Sequence, residues 1–556
     1  MNDIEYHLYE EAKAGRMTRQ QLLVRGSLLG ISVTAMSSIL AACGSSSSSG
    51  SSGAASGGGS GTITRGGTFN LGVTQPAQDV DPVTMYNEGA IATANIAGEY
   101  LCFPNPDYTL DPRLATSWQP SAGGKTWTFA IRQGVKFQDG SPMTANDVAA
   151  SFERVTDPKS GSAALSAFAG VLSHGNTEVQ GTNVVFHLDR AYAAFPYLVS
   201  AFNYNMIILP ANYKIGTFTQ GGIGTGPYIL KTYTTNQQAT YTKNPNYWAA
   251  GMPYMDSVVL KYYSDTPPQV PALQAGAIDA MVETPYTDAK ALFGSPGIVV
   301  LENPSSQYRT LQMRVDQDPF SSLALRQAVA YGLDRPSIVQ TLFGGKAEVG
   351  NDHGFAPIYP DSPSTSEVPQ RVQDIAKAKS LVQQAGTSAV TLTTEQYLEI
   401  PQYATLIKDQ LAAAGLNVTL NIEPQGTFYG TGSNQPWLQV PFGITDWAAR
   451  GTPGQLIDPA YLCSSVPNTK LTNSGAWNSA HWCNQQFTTL MHQYEAEVDD
   501  QKRKQLAVQA ATIQNDQVPD VIAYWIDELR ATTDKVHGFP KGPITQVDLR
   551  AVWKSA

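Results

Sequence analysis

The chain has 556 residues, 15% of them charged and 42% hydrophobic, which gives room for about three to four domains and excludes a small disulfide or metal scaffold and a wholly disordered or fibrous chain. The 36 basic residues against 46 acidic ones leave a net charge of −10, which argues against nucleic acid as the main partner. Tyrosine is abundant, at 26 residues, while charge is sparse, a composition that suits an aromatic ligand surface.

Residues 1–42 read as an export signal. Arg16, Arg19 and Arg25 precede a moderately apolar run from Leu28 to Leu40, which is shorter than the roughly 20 residues that a helical span needs. The run ends in Leu40-Ala41-Ala42-Cys43-Gly44, which resembles the lipobox of bacterial lipoproteins; cleavage before Cys43 and lipidation of its thiol are expected. Thr18-Arg19-Gln20-Gln21-Leu22-Leu23 looks like a twin-arginine signal with Gln20 in place of the second arginine, so the export route stays open, and Met17 offers an alternative start. Residues 43–65, lipidated Cys43 followed by a stretch of mostly Gly, Ser, Ala and Thr, read as a flexible tether with a reach of ~25 Å. Two or more acyl chains would make the anchor stable.

In an oxidising compartment the remaining Cys102, Cys463 and Cys483 leave one thiol over. A Cys463–Cys483 disulfide is expected, because both lie in a Ser/Asn/Gly-rich stretch that reads as one long loop; closing it stabilises by about 3 kcal/mol in the chain-entropy model. The competing reading is a metal site of Cys463, His481, Cys483 and His492, whose spacing matches no common zinc pattern.

The body begins at Gly66. Trp127–Arg132 and Gly134–Phe137 read as strands, the second ending at Asp139-Gly140, and Thr144 with Asp147 forms a capping box that opens a helix to about Val155. Pro319–Gly344 keeps a helical period around a break at Asp334-Arg335-Pro336. Gln373–Gln384 is helical with Gly386 as a left-handed cap, Ala389–Thr394 is a strand, Pro401 opens a helix ending at Gly415, and Leu416–Ile422 alternates as a strand. Strand, helix, strand at this spacing is a βαβ unit, so the body contains an α/β layer.

Several stretches together resemble one family, the family 5 extracellular solute-binding proteins of ABC importers, the peptide, oligopeptide and nickel group. They are Arg65–Phe69 with Asp81-Pro82; Leu114–Trp118 continuing through Trp127–Phe129 to Val148; Gly224–Tyr228; Asn244–Trp248; Leu325–Ala330 with Asp334-Arg335; and Leu411–Val418. The resemblance implies an α/β, two-lobed fold of the periplasmic-binding-protein type (class II, large cluster) with an extra subdomain in lobe I. Residues 66–104, 211–308 and 520–556 would form lobe I, 105–210 its subdomain and 309–519 lobe II, with crossings near Ser305–Leu311 and Pro519. A peptide or small polar solute would be enclosed between hinged lobes and handed to permease subunits at the outer face of the cytoplasmic membrane, without cofactor and as a monomer.

The same resemblance points to the ligand-binding residues. In peptide-binding members a Trp lies shortly before an Asp that pairs with the peptide amino terminus; here Trp447 is followed by Arg450 in the matching place. Arginine suits a carboxylate or phosphate and repels an ammonium, so an anionic or strongly accepting ligand group is expected there, the bland alternative being a pair with Asp446 or Asp458. Trp447 is a stacking platform or core. Tyr86, Asn87 and Glu88 approach from lobe I, Phe428 and Tyr429 from lobe II, and Tyr308 lies at a crossing. The other readings are a membrane-tethered hydrolase and a sensing receptor on this scaffold. Gly222–Gly226 lacks the Lys and Ser/Thr of a phosphate loop, the seven histidines form no His-Glu-x-x-His, and no paired catalytic groups stand out.

Overall fold

The computed structural model describes residues 63–77, 79–221, 223–430, 435–463 and 477–555. The export signal, Cys43 and nearly all of the Gly/Ser tether therefore lie outside the described residues, as does Gly222.

In chain order the strands are β1 (Thr68–Thr74), β2 (Cys102–Pro104), β3 (Leu110–Pro112), β4 (Ala115–Ser121), β5 (Thr126–Ile131), β6 (Thr177–Gln180), β7 (Asn183–His187), β8 (Tyr228–Thr234), β9 (Gln238–Lys243), β10 (Ser257–Tyr263), β11 (Ala280–Met281), β12 (Ile298–Met313), β13 (Ala347–Val349), β14 (Ala389–Glu395), β15 (Asn417–Glu423), β16 (Phe442–Trp447) and β17 (Asp520–Thr533). One mixed sheet of 11 strands runs through the whole body in the order β15-β14-β16-β12-β17-β11-β1-β10-β9-β8, with β13 added to β17. Strands β4 to β7 form a separate four-stranded sheet in the order β4-β5-β7-β6, inside the segment expected to be the subdomain.

Two lobes follow from how the apolar residues sort. Lobe I and the four-stranded sheet share one core that includes Phe69, Leu71, Trp127, Phe129, Phe186 and Leu260, so the subdomain is packed onto lobe I rather than free of it. A second core, with Leu311, Leu392, Ile407, Leu411 and Ile444, belongs to lobe II. It contains Val521, Ala523, Tyr524 and Ile526 of β17 as well. A third core of aromatic residues, with Tyr108, Tyr308, Trp447, Trp482 and Trp525, fills the space beside the crossing strands.

The helices obey their local signals. The capping box of Thr144 and Asp147 starts the helix Ala145–Thr156, Asp374 caps Ile375–Ala385, and Gly386 closes it at φ 68°. Ile400–Ala413 buries Ile400, Tyr403, Ala404, Ile407 and Leu411, one helical face. Leu323–Gly332 packs so closely on it that a Cβ at Gly332 would sit 2.6 Å from Leu411 Cδ2. β14 and β15 pair in parallel around Ile400–Ala413, which makes the βαβ unit. One expectation fails: Gly134–Phe137 is no strand but a turn with a single bridge from Lys136 to Pro142. Gly134 takes φ +77°, and Pro142 has no N–H to extend a ladder.

The glycines of the phosphate-loop-like run have a structural use. A Cβ at Gly224 or Gly226 would lie 2.1 Å from Ala97 O or 2.5 Å from Gly98 O, and the Gly226 N–H donates to Ala97 O at 3.1 Å. Gly226 thereby closes on the last turn of the helix Glu88–Ala97, and the Gly224 N–H donates to Gln138 Oε1 at 3.1 Å, so neither amide is left for an anion.

Candidate functional site between the lobes

The chain passes between lobes on β12 and β17, and β12 is interrupted where it crosses. Its register against β17 shifts between Asn303 and Gln307 and again between Tyr308 and Thr310. Pro304 cannot donate to the ladder, and a bulge of this kind re-aims the strand. Serine side chains replace the missing bonds. Ser305 donates its hydroxyl to Ile526 O at 2.7 Å and accepts from Gln307 N–H. Ser306 donates its hydroxyl to Arg450 O at 2.9 Å and accepts from Arg450 N–H at 2.8 Å, while its own N–H donates to the Tyr108 hydroxyl. The crossing, the subdomain side and the segment after β16 are thereby pinned to one residue.

Beyond the bulge, β12 pairs antiparallel with β16, Tyr308 opposite Trp447 and Arg309 opposite Asp446. Directly opposite residues share a face, so this strand pair has an aromatic face and a charged one. On the first, Tyr308 stacks on Trp447 at 6.2 Å and 9° and packs on Trp525 at 4.8 Å. On the second, Arg309 pairs with Glu399 at 2.9 Å, both nearly buried. The Tyr429 hydroxyl lies between the carboxylates of Glu395 and Asp446. Burial, and then the charge of Asp446, pushes the Glu395 carboxyl up to about 7.

Three more carboxylates meet beside the crossing. Burial and then Glu283 push the Glu528 carboxyl up to about 8, in the order burial first and neighbour second. Glu283 itself is raised by burial, with Arg530 opposing. Glu88, in the first turn of the helix Glu88–Ala97, is raised by burial and then by Glu283.

The expected binding residues divide accordingly. Glu88, Tyr308, Trp447 and Arg450 are brought to the interlobe region. The Glu88 Oε1 and Trp447 Nε1 atoms are buried without a hydrogen-bond partner. The Arg450 guanidinium makes one hydrogen bond, to Ala449 O at 3.2 Å. It lies among Tyr204, Tyr359 and Tyr308, with burial lowering its pKa. It forms no ion pair with Asp446 among the described residues, and Asp458 is taken by Arg190 at 3.3 Å, so the pairing alternative for Arg450 does not hold. Tyr308 is fully buried as a packing residue. Asn87 spends its side chain on capping the helix, accepting from Ala90 N–H at 3.1 Å. Phe428 is fully buried, the Tyr429 hydroxyl is held between carboxylates, and Tyr86 stands 62% exposed.

Sequence reasoning missed Glu283, Arg309, Glu399 and Glu528. The available signal was a charge inside an otherwise apolar strand: Asp527 and Glu528 follow the run Val521–Ile526 in β17 and Arg309 interrupts β12. The remaining assignments concern sulfur. Cys463 and Cys483 form a disulfide, and His481 uses both ring nitrogens, towards Asp316 Oδ2 and Leu438 O at 3.0 Å each. The alternative metal grouping is thereby overturned. Cys102 is free and buried, and burial pushes its thiol well up.

Comparison with known proteins supplies the family context. The profile of the family described as "Bacterial extracellular solute-binding proteins, family 5 Middle" matches residues 109–467. The chain is 26% identical over 403 residues to the glutathione-binding protein GsiB of Escherichia coli (strain K12), covering 68% of this chain and 73% of that one. Its fold is similar to that of the ABC transporter substrate binding protein CtaP from Listeria monocytogenes, at a TM-score of 0.75 and 20% identity, over 89% of this chain and 100% of that one. It is likewise similar to the ABC transporter-associated periplasmic binding protein DppA from Helicobacter pylori in complex with the peptide STSA, at 0.69 and 21%, over 89% and 99%.

Proposed function

The chain belongs to the family 5 bacterial extracellular solute-binding proteins, and we propose that it captures a peptide-like or other small polar solute between its lobes and delivers it unaltered to the permease of an ABC transporter. The observation that carries this reading is the pair of crossing strands, bulged at Pro304, beside buried polar groups that have no partner among the described residues. Trp447 Nε1 and Glu88 Oε1 are such groups, and Arg450 retains most of its donors. Unsatisfied buried polar groups are costly unless a ligand completes them, and hinge closure around a solute does so.

Arg450 receives an anionic or strongly accepting group of the solute, with Trp447 as the aromatic wall beside it and Tyr308 stacked behind Trp447. Export and an acyl anchor at Cys43 place the body at the outer face of the cytoplasmic membrane; the support is the Leu40–Gly44 motif and the Gly/Ser-rich segment after it. No bond of the solute is made or broken.

Glutathione and short peptides, the ligands named for the relatives, are the first probes. Mass spectrometry of solute retained through purification, a melting-temperature rise on adding it back and compaction in small-angle scattering are the expected results. Conversion of the retained solute into a product, or saturation without compaction, would overturn the reading; capture unaffected by Arg450→Ala would remove Arg450 from the site.

A further inference from the structure

A cavity of about 50 Å³ lies where the lobes meet, lined by Glu283, Thr284, Arg309, Tyr397, Glu399 and Glu528 among others. The fold creates it by register. β11 pairs with β17 through Met281 and Ala531, which carries Glu283 and Thr284 alongside Leu529, and the Thr284 N–H donates to Leu529 O at 2.8 Å.

The positive charges nearby are already engaged. Arg309 pairs with Glu399 at 2.9 Å. Arg530 donates to the carbonyls of Pro540 at 2.8 Å, Gln546 at 3.3 Å and Ile544. Lys346 pairs with Glu302 at 2.7 Å and faces Asp527 from the outer side. Glu88, Glu283 and Glu528 have no ion pair among the described residues; burial raises all three, and the charge of Glu283 adds to it at Glu88 and Glu528. An independent sign comes from Thr284: it is 1% exposed, lines the cavity, and its hydroxyl has no hydrogen-bond partner. A neutral hydroxyl gains nothing from the carboxylates' charge balance, so its vacancy points to a missing hydrogen-bonding group rather than to a titration effect.

We propose that the Glu283–Thr284–Glu528 cavity, with Glu88 beside it, is the subsite for an ammonium head group of the captured solute. By the same measure one water needs only ~10–15 Å³, so the cavity has room for a small polar head group such as a primary amine. Hydrogen-bond acceptors in place of a coordination shell suit an ammonium; among the described residues no group of His, Cys, Asp and Glu is arranged for a metal ion. The inference rests on the solute-capture reading and adds to it a cationic end opposite in sign to the group at Arg450.

The test is a titration of the full body with ¹³C-methylammonium followed by NMR, with methanol as the neutral probe of similar size. Saturable binding of methylammonium, absent for methanol and weakened at least tenfold in both Glu283→Gln and Glu528→Gln, is expected; melting temperatures no lower than that of the unsubstituted protein certify the folds. Absent saturation, equal binding of methanol, or no weakening in either variant would overturn the subsite. Equal displacement by potassium chloride at matched ionic strength would assign the cavity to any free cation and overturn the solute-head assignment. None of these readouts requires capture of glutathione or a peptide, so failure of capture and failure of the subsite are told apart.

Discussion

Two clusters of buried charge in this molecule are built from the same residue types and end in opposite states. In lobe II, Asp352 is fully buried and closed on all sides. Arg335 Nη2 lies 2.7 Å from each of its oxygens, Arg371 Nε lies 2.7 Å from Oδ2, and the Ile522 N–H of β17 donates to Oδ1 at 3.2 Å. At the crossing, Glu88, Glu283 and Glu528 have no such closure. The first cluster spends its charge on fixing the base of β17 against lobe II. The second has no counter-ion among the described residues, and its carboxyls are pushed towards the protonated form instead.

The contrast is broken most strongly at Asp352. Asp352→Asn leaves two buried guanidinium groups without their shared counter-ion, and a loss of ~3–5 kcal/mol is expected, read as a lower urea midpoint with little change in ligand preference. Glu528→Gln should act in the other direction. Its carboxyl, about 8 in the folded protein against an ordinary value of 4.5, favours the folded state while protonated and loses that contribution as pH rises through the folded value. Glu395, at about 7, and Asp520, raised to about 7 chiefly by burial, behave alike. The solute-free protein therefore loses stability between about pH 5 and pH 8.5. Glu528→Gln flattens that slope and gains about 1 kcal/mol at pH 8.5, measurable in paired melting curves. An unchanged slope would return Glu528 to the scaffold class.

A third arrangement lies between these extremes. Arg190 of the subdomain reaches lobe II, pairing with Glu495 at 2.7 Å and Asp458 at 3.3 Å, and the Ala193 N–H donates to Glu495 O at 2.6 Å. Asp458 is raised by burial and then by Glu495, so it takes up a proton when the guanidinium is removed. Because Arg190 is 34% exposed, Arg190→Ala should weaken solute capture only about fivefold, ~1 kcal/mol after allowing for screening, with less compaction in scattering. The smallest effect is expected at Tyr86. With its ring largely in solvent, Tyr86→Ala should change stability by under about 0.5 kcal/mol, and a loss of capture there would show that the ring meets the solute on closure.

Local signals were legible wherever one stretch of chain carried the whole reason for its structure. The capping box at Thr144 and Asp147, the left-handed cap at Gly386 and the parallel pairing of Ala389–Glu395 with Asn417–Glu423 all depend on nearby residues. The site was legible only in part. Arg450 and Trp447 were singled out through a motif that keeps both on one short stretch, whereas Glu283 and Glu528 are 245 positions apart in the sequence numbering, and no window contains both. Asn87 shows the converse: its position beside the site was readable, but its side chain is committed to Ala90 N–H.

Resemblance of its motifs to one family carried the class of fold and the family, and local patterning carried individual helices and strands, because turn chemistry and burial patterns act over short spans of chain. Tertiary structure alone decided which carboxylates stay without a counter-ion and which polar groups remain open to a solute. Those outcomes depend on electrostatics and desolvation between strands distant in sequence, and such energies exist only once the strands have been brought together.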